Sequence, residues 1–191
     1  MTTNYFFTKD TGLSPFVTLA KAKKQLRLEA DFTEEDDLIT DYIEAATVAA
    51  EDYLNKKLFK GVLTFECSSF ANPFVFTQSD DSDTVESVEY YAKDGDGETL
   101  TAVEDTDFKL RKSSTIGCKE IKFTATLPET EVRDDAVIIK INQGFAVADL
   151  PKPIYQAIML MVTSMYEKRE DIGEIGFNQA SRNLLRPYRN F

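Results

Sequence analysis

Histidine and tryptophan are absent from this 191-residue chain, and it has only two cysteines. Without histidine there can be no Ser-His or Cys-His nucleophile pair, and the commonest transition-metal ligand is missing too. Cys67 and Cys118 form no CxxC pair, so buried free thiols are expected rather than a metal knuckle or a disulfide framework. Cys67 alternates with Leu63 and Phe65, as on the apolar face of a strand. No GxxxxGK[ST] loop or GxGxxG turn is present, so a glycine cradle for phosphates is unsupported. The longest purely apolar run covers 157–162, far short of the roughly 20 residues that cross a bilayer. Residues 1–10 have neither the basic nor the apolar region of a signal peptide, and the expectation is a soluble protein made in a cytoplasm. Basic residues are also scarce: 22 against 33 acidic ones, for a formal net charge of −11. That balance disfavours general binding to nucleic acid or anionic membranes and favours solubility.

What is present is ordinary globular material, 42% hydrophobic and 29% charged, long enough to bury a sizeable core. Its layout is two helical segments, 18–54 and 153–171, on either side of a β-patterned middle. Thr18 suits the N-cap of a helix over 19–28, with Leu19, Ala22 and Leu26 at helical spacing and Lys21, Lys23, Lys24 and Arg27 on the other face. A polar break over 29–32 precedes a long helix. There Thr33 and Asp36 approximate a capping box, and Glu34, Glu35, Asp36 and Asp37 favour the positive end of the dipole. Leu38, Ile39, Tyr42, Ile43, Ala46, Ala50, Tyr53 and Leu54 repeat at three- and four-residue steps. The row Ala45, Ala46, Ala49, Ala50 permits close approach of another helix.

From Gly61 the period changes to two. Strands are expected over 63–67, 73–77, 88–92, 108–112, 120–125 and 136–142, and Asp94-Gly95-Asp96-Gly97 reads as a hairpin turn. The glycines of that turn do not match a calcium loop, which needs glycine at its sixth position and glutamate at its twelfth. Pro151 and Pro153 then introduce a helix whose Ile154, Ala157, Ile158, Leu160, Met161, Val162 and Met165 are apolar almost all round, the pattern of a buried helix. The fold class is therefore α+β: helical N- and C-terminal segments packing together, with an inserted antiparallel β-sheet or small barrel. The expected divisions are an extended aromatic arm over 1–17 and a helical domain from 18–58 plus 150–177. An inserted β domain over 59–149 and a docking tail over 178–191 complete the set.

Carboxylate chemistry has two candidate clusters. Asp80, Asp81 and Asp83 lie in a polar loop, and Asp134 and Asp135 precede a strand. Glycoside hydrolysis needs two carboxyls about 5–9 Å apart, one of them in an apolar pocket, and solvated consecutive aspartates meet neither condition. The tail over 182–191 contains no acid. Arg182, Arg186, Tyr188, Arg189 and Phe191 are residue types that anchor interfaces, and they equally suit pairing with the protein's own acidic surface.

Three stretches resemble one family. The first is Val17-Thr18-Leu19-Ala20-Lys21-Ala22-Lys23-Lys24-Gln25-Leu26-Arg27-Leu28, followed by Asp36-Asp37-Leu38-Ile39, Ile43-Glu44-Ala45-Ala46 and Glu51-Asp52-Tyr53-Leu54. The second begins Leu150-Pro151-Lys152-Pro153-Ile154-Tyr155-Gln156-Ala157-Ile158 and ends Tyr166-Glu167-Lys168-Arg169-Glu170. The third is Leu184-Leu185-Arg186-Pro187-Tyr188-Arg189. In this order they are similar to the head–tail connector (adaptor, or head-completion) proteins of long-tailed phages. The resemblance implies a virion structural protein of the neck, present in the host cytoplasm before assembly, with no catalysis, metal or cofactor. It implies a homo-oligomeric ring, commonly twelvefold, beneath the portal protein, carrying a stopper or tail-completion protein below while DNA passes through. Portal contact would then fall to Arg182, Arg186, Tyr188, Arg189 and Phe191, and contact between ring subunits to Lys21, Lys24, Arg27, Glu34, Glu35, Tyr166 and Arg169. An acidic ring wall would let DNA slide without sticking. The competing readings are a stopper or tail-completion protein of the same neck, a small carboxylate-dependent hydrolase, and a solitary host-side binding module.

Overall fold

The computed structural model describes residues 3–77, 82–114, 118–168 and 178–189. The fold is α+β, with four helices and antiparallel sheets. The chain forms two compact units, one from residues 1–13, 59–144 and 191, the other from 14–58 and 145–190.

In the helical unit, α1 (Leu19–Leu26) and α2 (Asp36–Leu54) lie N-terminal, and α3 (Lys152–Glu167) and α4 (Gln179–Leu185) C-terminal. The Thr18 hydroxyl accepts the Lys21 N–H at 3.4 Å and starts α1. Both α1 and α2 end without glycine. Arg27 and Asn55 take the left-handed conformation at φ 60° and 53°. Each end is closed by a pair of bonds to the last turn: Arg27 N–H to the Lys24 carbonyl with Leu28 N–H to Lys23, and Asn55 N–H to Asp52 with Lys56 N–H to Glu51. Those bonds stop α1 at Leu26, two residues before its expected end. The capping box does not form either. The N-cap of α2 is Glu35 and makes no side-chain cap bond, while Thr33 offers only its backbone carbonyl to the Asp36 N–H.

α2 turns Ile39, Ile43, Ala46, Thr47, Ala50 and Leu54 inward, and α3 turns Ile154, Ala157, Ile158, Met159, Met161 and Val162 inward; α2 packs against α3. Of the alanine row, Ala46 and Ala50 are fully buried, Ala49 is half-buried and Ala45 faces solvent. Thr47 keeps its hydroxyl satisfied by donating to the Ile43 carbonyl at 2.7 Å. α4 packs on α3 through fully buried Leu185, and Asn178 caps it by accepting the Ser181 N–H at 2.8 Å.

The β unit is two facing antiparallel sheets rather than one sheet or a barrel. Its strands are β1 (Thr3–Lys9), β2 (Gly61–Cys67), β3 (Phe74–Phe76), β4 (Thr84–Tyr91), β5 (Leu100–Ala102), β6 (Phe108–Lys112), β7 (Lys119–Phe123) and β8 (Val137–Gln143). The five-stranded sheet has the order β1-β2-β8-β4-β5 and the three-stranded sheet β3-β7-β6. Inward rows from both meet in one core: Leu63, Phe65 and Cys67, Val137, Ile139 and Ile141, with Phe74, Phe76, Ile121 and Phe123 opposite. Phe65 bridges the layers, its ring centroid 5.1 Å from Phe74 and 5.9 Å from Phe76. Burial pushes the Cys67 thiol pKa up, and a bond with the Thr3 side chain pulls weakly the other way.

The aromatic segment expected to be a separate arm is β1, paired in register from Thr3 opposite Cys67 to Lys9 opposite Gly61. Gly61 permits this, because a Cβ there would lie 2.4 Å from the Thr8 carbonyl oxygen. β5 was not foreseen: Leu100-Thr101-Ala102 has one large apolar residue, whereas β3, equally short, alternates with Phe74 and Phe76. Gly144, after β8, has φ +84°, and a Cβ on it would sit 2.1 Å from the Phe59 carbonyl oxygen. Gly144→Ala combines left-handed strain with a backbone clash and should cost about 3 kcal/mol, measured as a lowered urea midpoint with an unchanged slope.

Candidate functional site

The chain's accessible chemistry lies on helix faces and strand edges. On α1, Lys21 and Lys24 are exposed and spaced by three, and Arg27, the left-handed residue that ends the helix, is exposed just beyond them. Lys21 also lies over the Tyr155 ring, 5.5 Å from its centroid. Lys23 does not join them. It is buried and pairs with Asp36 at 2.5 Å, because the α1–α2 packing rotates it inward, where only an ion pair offsets its desolvation.

The outer face of α2 is acidic. Asp37, Asp41, Glu44 and Asp52 are all exposed with Val48 among them, at helical spacing along one stripe. Glu34 is exposed just before the helix, whereas Glu35 is half-buried and accepts the Tyr166 hydroxyl at 2.6 Å. Two of the residues expected at subunit contacts therefore meet each other within the chain. Arg169 lies outside the described residues.

In the tail, Arg182 is half-buried on α4, and Arg186, Pro187 and Tyr188 form a 3-10 turn directly after it. Arg186 and Arg189 are exposed; the Arg189 guanidinium lies 5.1 Å from the Tyr53 ring centroid. The tail is thus a docked element held by Leu185 and its turn, and Phe191 lies outside the described residues.

The carboxylate clusters separate by environment. Asp135 is held by Arg133 through two bonds of 2.5 and 2.8 Å, which lower its pKa, while Asp134 is exposed. Asp83 is buried rather than solvated and accepts from the Gln143 amide at 3.2 Å; Asp80 and Asp81 lie outside the described residues. A depression of about 240 Å³ in the β unit is lined by Tyr90, Val103, Phe123 and Leu127, with Glu104 and Asp107 on its wall. Of these two carboxylates Glu104 is exposed and Asp107 half-buried. The hairpin reading of 94–97 has a clear chemical basis. Asp96 accepts from the Thr99 hydroxyl and from the Thr99 and Glu98 N–H groups, which hold its carboxyl at about 2. Arg133 caps the turn by donating to the Gly97 carbonyl at 2.9 Å. Among the described residues no group of three His, Cys, Asp or Glu could hold a metal, and no helix is long and apolar enough to cross a membrane.

Residues 16–93 match the family model described as phage gp6-like head-tail connector protein. The resemblance read from the sequence is thus borne out, over α1, α2 and the first strands that follow. Solved structures share the fold along nearly the whole chain. A chain in the neck of an empty gene transfer agent (GTA) particle, computed with C6 symmetry, has a TM-score of 0.73 at 20% identity, over 97% of this chain and 96% of that one. A chain of the native gene transfer agent virion gives 0.70 at 20% identity, over 97% and 95%. One in the native neck computed with C12 symmetry gives 0.64 at 20% identity, over 97% and 96%. No curated protein matches the chain.

Tyr166→Phe removes the hydroxyl from Glu35 and leaves a half-buried carboxylate short of a donor. The substitution should cost about 1.5 kcal/mol in urea unfolding, with no loss of helix content by circular dichroism.

Proposed function

We propose that this chain is a head–tail connector adaptor: a non-enzymatic ring subunit of a virion neck that sits beneath the portal, with DNA passing through the ring. The observation that carries this reading is the connector-family match over 16–93, which takes in the two helices bearing the opposed charged faces. The fold likeness to neck chains of gene transfer agents, two of them treated with C6 or C12 symmetry, supports a ring of identical subunits. The surface chemistry is that of a contact protein, with its charges laid out along exposed helix faces.

A head-to-tail ring requires two different patches that complement each other on successive subunits. The basic patch of Lys21 and Lys24 on α1 with Arg27 at its end, and the acidic stripe of α2 with Glu34, suit that requirement. Charge complementarity sets register and encounter rate more than affinity. Portal contact is assigned to Arg186, Tyr188 and Arg189, with Arg182 at their base. Deleting the tail from Arg182 onward is a poor test, since it would strip Leu185, fully buried, from the helical unit.

Two experiments test the reading. Lys24→Glu with Arg27→Glu should abolish ring formation seen by negative-stain microscopy, and adding Asp41→Lys with Glu44→Lys should restore it; rings unaffected by the first pair would remove this contact. Arg186→Glu with Arg189→Glu should lower capture by purified portal at least tenfold while the fold is retained. Wild-type protein that binds a stopper or tail-completion protein but never portal would move the chain to the layer below.

A further inference from the structure

The amino-terminal strand leaves an open edge whose chemistry is complementary to itself. β1 pairs with β2 along its whole length and, among the described residues, with no other strand. Such an edge presents a row of unpaired N–H and C=O groups, which proteins ordinarily blunt with proline, bulges or charge. Here the strand reads Thr3-Asn4-Tyr5-Phe6-Phe7-Thr8-Lys9, with no proline, no acid and no break in register. Its one charge, Lys9, lies over the Phe59 ring at 3.4 Å. Tyr5 and Phe6, on opposite faces of the sheet, are 59% and 46% exposed.

The phase of the backbone decides what can pair there. Asp10 N–H donates to the Lys60 carbonyl at 3.0 Å, so the even-numbered residues turn their backbone groups toward β2. Thr3, Tyr5, Phe7 and Lys9 therefore turn theirs outward, and an added strand must pair with these positions. A second β1, antiparallel and centred on Phe6, does so. Tyr5 then stands opposite Phe7 and Thr3 opposite Lys9 as hydrogen-bonded pairs. Phe6 stands opposite its own copy, and Asn4 opposite Thr8, as non-hydrogen-bonded pairs. Aromatic meets aromatic, polar meets polar, and the two lysines are kept apart.

We propose that two copies of this chain associate through β1, joining their five-stranded sheets edge to edge about a two-fold axis. A two-fold contact uses one patch on both partners and closes at two, so this dimer is a state of the chain outside a head-to-tail ring. It uses no residue of α1 or α2.

Sedimentation velocity of the full chain should give a concentration-dependent dimer. Tyr5→Pro removes an outward N–H without touching a β1–β2 bond and should give a monomer with an unchanged circular dichroism spectrum. Should that variant fail to fold, a cysteine pair of variants decides. Phe6→Cys should cross-link to a covalent dimer on mild oxidation, because a non-hydrogen-bonded antiparallel pair brings its Cα atoms within disulfide range. Thr8→Cys, which would face Asn4 of the other copy, should not cross-link; both variants carry the same native cysteines. A wild type that stays monomeric, an oligomer unchanged by Tyr5→Pro, or equal cross-linking of the two cysteine variants would overturn the proposal.

Discussion

The contact of α2 with α3 is the constraint on which the helical unit rests. Ala46 and Ala50 carry nothing beyond Cβ, so the helix axes can approach closely, and Ile154, Ile158 and Met161 are then fully buried. Each such side chain contributes about 1.5–3 kcal/mol on removal from water. With α2 and α3 held together, the Tyr166 hydroxyl reaches Glu35, and α1 lies where Lys23 can meet Asp36. α4 closes the unit by burying Leu185 against α3. A larger residue at Ala46 or Ala50, both fully buried, would have to displace its neighbours, because the interior is packed like a solid.

The β unit solves a different problem. Its strands are short, and no single sheet could bury Phe65, Phe74 and Phe76 together; two facing sheets can. The five-stranded sheet is wider than its three-stranded partner, and its first strand stands at the open border. Gly61 lets that strand lie close, while Tyr5 and Phe6 keep much of their surface in water. An exposed aromatic edge of this kind invites another strand.

Charge is sorted rather than scattered. Acids line the outer stripe of α2, bases lie exposed on α1 and in the tail, and two of the acids weighed for catalysis, together with the turn acid Asp96, have local duties. Asp135 holds Arg133, Asp83 receives Gln143, and Asp96 organises a turn. On α1, α2 and the tail the exposed charges are grouped by sign, while Glu86, Lys109 and Lys122 lie exposed on the strands. The connector-family match over 16–93 and the fold shared with neck chains agree with that chemistry.

Much of this was legible in the sequence. The long helix, the buried α3 stripe and most strands follow from period alone, because side-chain burial must repeat at 3.6 or 2 residues. The connector resemblance was carried by ordered motifs on the helices, where local spacing is the signal. Some side-chain placements were not legible. Lys23 looked like part of a solvated basic face, Thr33 like a cap and Asp83 like a loop acid. In each case the outcome depends on a partner distant along the chain or on packing: Asp36, the entry to α2 and Gln143 respectively, while the extended arm read over 1–17 finds β2 as its partner. The chain's local pattern by itself determined which segments are helix or strand and which faces are apolar. Tertiary structure alone decided which charges are buried, how strands divide into two sheets and which edge stays open, since those depend on contacts between residues that no periodicity links.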